Sequence, residues 1–426
     1  MGVNGMSEPQ KIYFDDLDKP VRNEAEQAFY DSGKPVDMSV EAILGAAKAA
    51  TGLSDFGSPD FMERIQLWVD DINADAGLHT IGRQQAWEQM MVYAINRLNL
   101  ENAVRLHPEI LDVKIDRPLM IAGLPRSGTT HLVNMIAADP RLRSAQLWET
   151  MMPFPLPGEQ PGPIEQSPRY TMTKEMWSMF RQVLPHMNAI HEMDPDHVHE
   201  NIEFQSIDFS SYAIEWRARM PNWARYYQQH DQTPHYRYEK KALQALTWMR
   251  GPNRWVSKSP PHMENLVPLH TVFPDATVII THRDPVAVMQ SALTLLAYWD
   301  RIRRTEQDLP GLAALWTWRI EEMLRAAVRD HDKLPQNQIV DVIFHEYMAD
   351  QRGLIERIYR TADLELTPAA EARITAYLEA NQRGRHGAVQ YDLPKFGVNV
   401  GELRERFQFY YDKFPVKKEP ARGEVL

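Results

Sequence analysis

Residues 123–130 have the types and spacing for gripping an anion. Gly123 and Gly128 are separated by four residues and are followed by Thr129 and Thr130, the frame of a phosphate-cradling loop in which backbone N–H groups and the positive end of the next helix face the ligand. Pro125, Arg126 and Ser127 complete the turn. A nucleoside triphosphatase carries a lysine after the second glycine for its β and γ phosphates; here that position is Thr129, and the only cation of the turn is Arg126. Such a loop suits phosphate binding and is poorly equipped for ATP hydrolysis. Lys258 ends the short run 255–258, Trp-Val-Ser-Lys, ahead of the break Ser259-Pro260-Pro261 and then His262. Arg283 leaves the β-branched run 277–282, Asp284-Pro285 opens a helix after it, and Ser291 falls about two turns into that helix. An arginine leaving a strand and a hydroxyl on the next helix can approach one anion beside the carboxyl edge of a parallel sheet.

These groups need strands to carry them and helices to follow. The run 119–122 is apolar and of buried-strand character, and Leu132, Met135 and Ile136 resume at helical spacing after the turn. Residues 338–344 read as a further strand, with a helix near 354–361. Strands alternating with helices over 118–362 call for an α/β fold: a P-loop-like parallel sheet flanked by helices. Residues 1–115 read as a helical region packed on the core, since Ser58-Pro59 makes a helix start and Phe61, Ile65, Trp68 and Ile72 line one face. No chemistry is assigned to it. The expected organisation is therefore a helical extension over 1–115, the α/β domain over 116–415 with a helical, aromatic-rich acceptor region at 151–250, and a tail at 416–426.

Glu149 follows an apolar pair and precedes a proline-rich loop, a place from which a carboxylate can face a site above the strand ends. His186, His191, His197 and His199 crowd together with Glu192, Asp194, Asp196 and Glu200; the spacing lacks the helical His-Glu-x-x-His pattern and Pro195 interrupts it, so this stretch reads as a polar lid or pocket-lining loop rather than a metal site. Trp177, Tyr212, Trp216, Trp223, Tyr226 and Tyr227 are core candidates, some of them able to line an apolar pocket.

The 426 residues carry a formal net charge of −11, which argues against a general nucleic-acid binder. Any anionic ligand must be held by a local basic site. The chain has no cysteine, no apolar run of the roughly 20 residues that span a membrane and a polar, acidic start, so a cytoplasmic protein is expected.

With these motifs in order, residues 117–415 resemble the sulfotransferase superfamily, in particular its bacterial branch with a helical N-terminal extension. The likeness rests on Gly-Leu-Pro-Arg-Ser-Gly-Thr-Thr, on Trp-Val-Ser-Lys-Ser-Pro-Pro-His, on Thr-His-Arg-Asp-Pro with Ser291 after Arg283, and on the late Arg-Gly-Arg-His-Gly followed by Phe396-Gly397. The resemblance implies binding of 3′-phosphoadenosine 5′-phosphosulfate and in-line transfer of its sulfuryl group to an acceptor hydroxyl or amine, with no covalent enzyme intermediate and no metal. It places the 5′-phosphosulfate on 125–130, the 3′-phosphate on Arg283 and Ser291, Lys258 on the bridging oxygen, and Arg383 and Arg385 as a closing turn. The chain departs from cytosolic relatives at Pro260, where they carry a catalytic histidine, and at His131, where they stack an aromatic on adenine. By analogy with branches that use a glutamate, Glu149 is the first choice for general base, followed by His262 and then His191. The acceptor is expected to be a small apolar molecule such as a phenol, sterol or lipid alcohol. Oligomeric state stays open. The alternatives are a P-loop nucleotide kinase or triphosphatase, and a nucleotide-binding protein of the same fold without catalysis.

Overall fold

A computed structural model describes residues 10–382 and 385–421. Its strands are β1 (Lys11–Tyr13), β2 (Leu119–Gly123), β3 (Val256–Lys258), β4 (Thr277–His282), β5 (Ile339–Ile343) and β6 (Ala388–Gln390). Four of them form the central sheet, in the order β3-β2-β4-β5, and every pairing is parallel. Every residue of β2, β3 and β4 is buried. This is why β2 and β4 read as continuous runs of apolar and β-branched residues rather than as alternating ones. Because the strands are parallel, all their carboxyl ends share one edge. The chain leaves β2 toward β3 on one side and leaves β4 toward β5 on the other, so a crevice opens between the loops that follow β2 and β4, the switch point at which such sheets hold ligands.

Gly123 and Thr281 are register partners at that edge. Gly123 has φ 151°, and a Cβ there would run into the Thr281 hydroxyl oxygen. Only glycine permits both the backbone angle and the close approach.

The N-terminal helices Phe61–Ala74 and Thr80–Leu106 bury the expected stripe Phe61, Ile65, Trp68 and Ile72 in a cluster of their own. That cluster also contains Phe209, Ile214, Trp223 and Tyr227, so the helical region shares its core with the segment that follows the histidine-rich stretch. A buried carboxylate reinforces the seam: Asp208 accepts from Arg64 (2.9 Å) and Arg97 (2.6 Å), with His235 Nδ1 2.6 Å from its other oxygen. The sequence also misses a strand. β1 lies within the stretch read as helical and pairs in parallel with β6, which lies near the other end of the chain. Three residues carry too little local pattern to reveal a partner that distant. No helix among the described residues is long and apolar enough to cross a membrane.

Gly123→Ala is expected to lower stability by about 1–3 kcal/mol through overpacking against Thr281. Thermal unfolding checks this, and an unchanged midpoint would show that the β2–β4 edge is looser than described.

Candidate active site

The loop after β2 is built around a left-handed arginine. Arg126 has φ 69° and Gly128 φ 90°, and Gly128 caps the helix Thr129–Ala137. The Arg126 guanidinium is held on three sides: Nε donates to Ser291 Oγ (3.1 Å), Nη1 faces His191 Nδ1 (3.3 Å), and Nη2 donates to the Ile190 carbonyl. Its carbonyl accepts from Arg283 Nη1 at 2.8 Å, which ties the loop after β2 to the loop after β4. Burial pushes the Arg126 pKa below its ordinary value, and the neighbouring Arg283 charge adds to the effect. His191 is driven well below the usual imidazole range, first by burial and then by the charges of Arg126 and Lys258. It is therefore neutral, and with Nδ1 accepting from Arg126 its proton sits on Nε2.

Arg283 has Glu419 clamped on its Nε and Nη2, both at 2.7 Å, and its guanidinium lies 4.2 Å from the centre of the Phe344 ring. Lys258, buried at the end of β3, donates to Thr130 Oγ1 (3.2 Å) and forms an ion pair with Glu200. Burial lowers its pKa against the opposing pull of Glu200.

Two cavities meet at this loop. One, of about 510 Å³, runs past the start of the helix at Thr129 and is lined by His131, Arg283, Phe344, Tyr377 and Arg385. The other, of about 550 Å³, is largely apolar and is walled by Met176, Trp177, Phe180, Tyr212, Trp216 and Trp299. Arg126, Thr129, Thr130 and His191 line both. Both volumes suit small ligands.

Several expected site residues converge here and others do not. Pro125, Arg126, Gly128, Thr129, Thr130, Arg283 and Arg385 each line one or both cavities. Ser127 turns inward, donating to the Leu124 carbonyl (2.6 Å) and lying 2.7 Å from Thr281 Oγ1, so it braces the turn. Ser291 lines neither cavity and bridges Arg126 to Tyr391, at 3.1 and 3.0 Å. Arg383 lies outside the described residues. His131 shares a hydrogen bond with the Tyr347 hydroxyl, and its ring centre is 5.7 Å from that of Tyr377.

Glu149 and His262, the first two choices for the base, sit outside both cavities. The Glu149 side chain is 1 % exposed and is clamped by Arg143 (2.5 and 2.8 Å) and by Arg250, so its oxygens are already occupied. His262 is fully buried against the Tyr236 hydroxyl (2.7 Å) with its Nε2 unpartnered, and burial lowers its pKa to about 3. Both assignments followed chain order, which cannot report that these side chains point into packed protein.

Besides His191, the acidic and imidazole groups that face the larger cavity are His199 and Glu200 on the histidine-rich stretch, Glu203 on the helix Ile202–Ser206, and Glu88 on the N-terminal helix Thr80–Leu106. His199 Nε2 lies 3.8 Å from Glu203, whose other oxygen accepts from the Tyr93 hydroxyl at 2.7 Å. The pocket-lining reading of the histidine-rich stretch named His199 and Glu200, without a catalytic role for either, and did not reach Glu203. No group of three or more His, Asp or Glu among the described residues is placed to hold a metal ion.

A sequence model described as "Sulfotransferase family" matches residues 118–368. The chain belongs to the sulfotransferase family, and is therefore a transferase by descent. Among solved structures it is similar to sulfotransferase STF9 from Mycobacterium avium, with 26 % identity over 89 % of this chain and 98 % of that one and a TM-score of 0.80. It is likewise similar to sulfotransferase STF1 from Mycobacterium tuberculosis H37Rv, with 26 % identity over 87 % and 98 % and a TM-score of 0.77. Curated protein sequences give no match.

The burial of His262 carries a pH dependence. Its folded pKa of about 3 lies below the unfolded value, so the unfolded chain binds the proton first and stability is lost as pH falls below about 6.5. From this group alone the loss between pH 7 and pH 5 is about 2 kcal/mol. Denaturant unfolding should show His262→Gln losing correspondingly less than the parent protein over that interval; equal losses would mean that His262 does not titrate in this way.

Proposed function

We propose that the protein transfers a sulfuryl group from 3′-phosphoadenosine 5′-phosphosulfate to the hydroxyl of a small, mainly apolar acceptor. The observation that carries this is the meeting of a basic cleft and an aromatic cavity at Arg126, Thr129, Thr130 and His191. In-line transfer needs donor and acceptor to approach one sulfur from opposite sides, and two cavities joined at a phosphate-binding loop supply that approach.

On the donor side, the amides of 127–130 at the start of the nine-residue helix Thr129–Ala137 take the 5′-phosphosulfate. Arg283 takes the 3′-phosphate, exchanging the Glu419 carboxylate for it. His131, Phe344 and Tyr377 offer ring faces and edges to the adenine. As the acceptor oxygen bonds to sulfur, the bond from sulfur to the 5′-phosphate oxygen breaks and negative charge grows on that oxygen. Lys258, Arg126 and the loop amides stabilise the charge. Glu200 keeps the Lys258 ammonium aimed at Thr130.

On the acceptor side, we assign the general base to His199. Glu203, anchored by Tyr93, lies 3.8 Å from Nε2 of the ring, and His199 lines the aromatic cavity, so we assign proton acceptance to its Nδ1. His191, protonated on Nε2, donates to the sulfuryl oxygens rather than acting as base. The organisation into an extension at 1–115, a catalytic domain at 116–415 and a tail is kept as a reading of the chain, with one amendment: the extension supplies Phe29, Ile81 and Gln85 to the acceptor wall.

Calorimetry should show 3′-phosphoadenosine 5′-phosphate binding at micromolar or tighter levels. Arg283→Ala should weaken it roughly 10–100-fold, the worth of a lost charged hydrogen bond, whereas Glu419→Gln should tighten it. The absence of binding to the intact protein would overturn the reading. Steady-state kinetics should show His199→Ala losing roughly 10²–10⁴ in kcat. A mild effect there with a large one in Glu200→Gln would move the base to Glu200.

A further inference from the structure

The larger cavity contains two arginines that sulfuryl transfer does not use. Ser291, Leu295 and Trp299 recur every four residues on one face of the helix Pro285–Asp300, and Leu295 and Trp299 line the cavity. The cavity therefore follows this helix away from Arg126, which Ser291 touches. From Ser291 to the helix end at Asp300 is about 13 Å, at the usual rise per residue. At that far end stand Arg303 and Arg217. Arg303 is 6 % exposed and lies 4.3 Å from the Trp299 ring centre. It spends its Nε on Gln85 (3.1 Å) and its Nη1 on the Trp216 carbonyl (3.3 Å), and Arg217 donates to Gln89 (2.9 Å).

Every partner of these two guanidinium groups is neutral, and neither forms an ion pair among the described residues. Asp300, whose charge reaches Arg303, is taken by Arg219 at 2.7 Å. Glu203 accepts from Tyr93 and, against its burial, is held below the usual carboxylate range by His199 and then by the Arg217 charge, while Glu88 is exposed beside Gln84. Burial, with the Arg217 charge beside it, lowers the Arg303 pKa to about 9. Two cations in an aromatic pocket with no carboxylate hydrogen-bonded to either are costly unless a bound anion compensates them.

We propose that Arg217 and Arg303 form an anion subsite at the far end of the acceptor cavity, so that the acceptor is a long amphipathic hydroxy acid with its hydroxyl at Arg126 and its carboxylate at these arginines. The inference rests on the assignment of this cavity to the acceptor. The roughly 13 Å of helix along which the cavity runs is comparable to an extended dodecyl chain, and the apolar walls Met176, Trp177 and Phe180 would cover its methylenes.

The test is calorimetric and does not require turnover. ω-Hydroxydodecanoate and the neutral diol of the same length are titrated into the full-length protein, with and without 3′-phosphoadenosine 5′-phosphate. The hydroxy acid should bind roughly 10-fold or more tighter than the diol, and Arg303→Met should bring the two within about 2-fold. Arg217→Met provides a second reading should the Arg303 variant fail its unfolding check. Equal affinity for acid and diol in the parent protein, or a preference that survives substitution, would overturn the proposal. Failure of the nucleotide to bind while the acid preference persists would instead count against the sulfuryl-transfer reading and leave the anion subsite standing.

Discussion

The structure depends on one residue held in a conformation it would not choose. A left-handed backbone at a non-glycine residue costs about 1–2 kcal/mol, and Arg126 adopts it with φ 69°. It stays there because its guanidinium is gripped by Ser291, His191 and the Ile190 carbonyl while its own carbonyl receives Arg283. The contacts come from the helix after β4, the histidine-rich stretch and the strand end itself. One side chain and one carbonyl thus lock together the three segments that enclose the site. The left-handed turn also aims the amides of the next residues at the crevice rather than into the sheet.

Charge is distributed unevenly around that lock, and the unevenness defines the chemistry. Lys258 is matched by Glu200 and Arg283 by Glu419, so these cations are positioned before any ligand arrives. Arg126 has no carboxylate partner among the described residues, although burial disfavours its charge. A half-buried cation with no carboxylate hydrogen-bonded to it, beside a helix start, is a site prepared for an anion. The paired cations can exchange a carboxylate for a phosphate, with little change in local charge, and this makes Glu419 a placeholder for the donor.

Local pattern made the sheet and the loop legible. The buried runs at β2 and β4, the glycine spacing and the Asp284-Pro285 start of the following helix are all short-range signals, and the structure places them where those signals point. What stayed hidden depends on contacts distant in sequence. Glu149 is occupied by Arg143 and Arg250, the latter reached from a helix a hundred residues on, and nothing near Glu149 announces it. Arg217 and Arg303 sit in unremarkable sequence and become notable only because their neighbours are aromatic and their partners neutral. The N-terminal helices read as structure because their apolar stripe is strong. Their other face supplies Gln85 and Gln89 to the cavity, a role that no periodicity marks.

The central claim is that donor and acceptor enter by different cavities and meet at Arg126. A crystal structure of the protein with 3′-phosphoadenosine 5′-phosphate and an acceptor alcohol tests it most directly. The account predicts the 5′-phosphate on the amides of 127–130, the 3′-phosphate against Arg283 in place of Glu419, and the acceptor hydroxyl beside His199 in the aromatic cavity. A nucleotide lying among Trp177, Phe180 and Trp299, or an acceptor bound away from the loop, would contradict it.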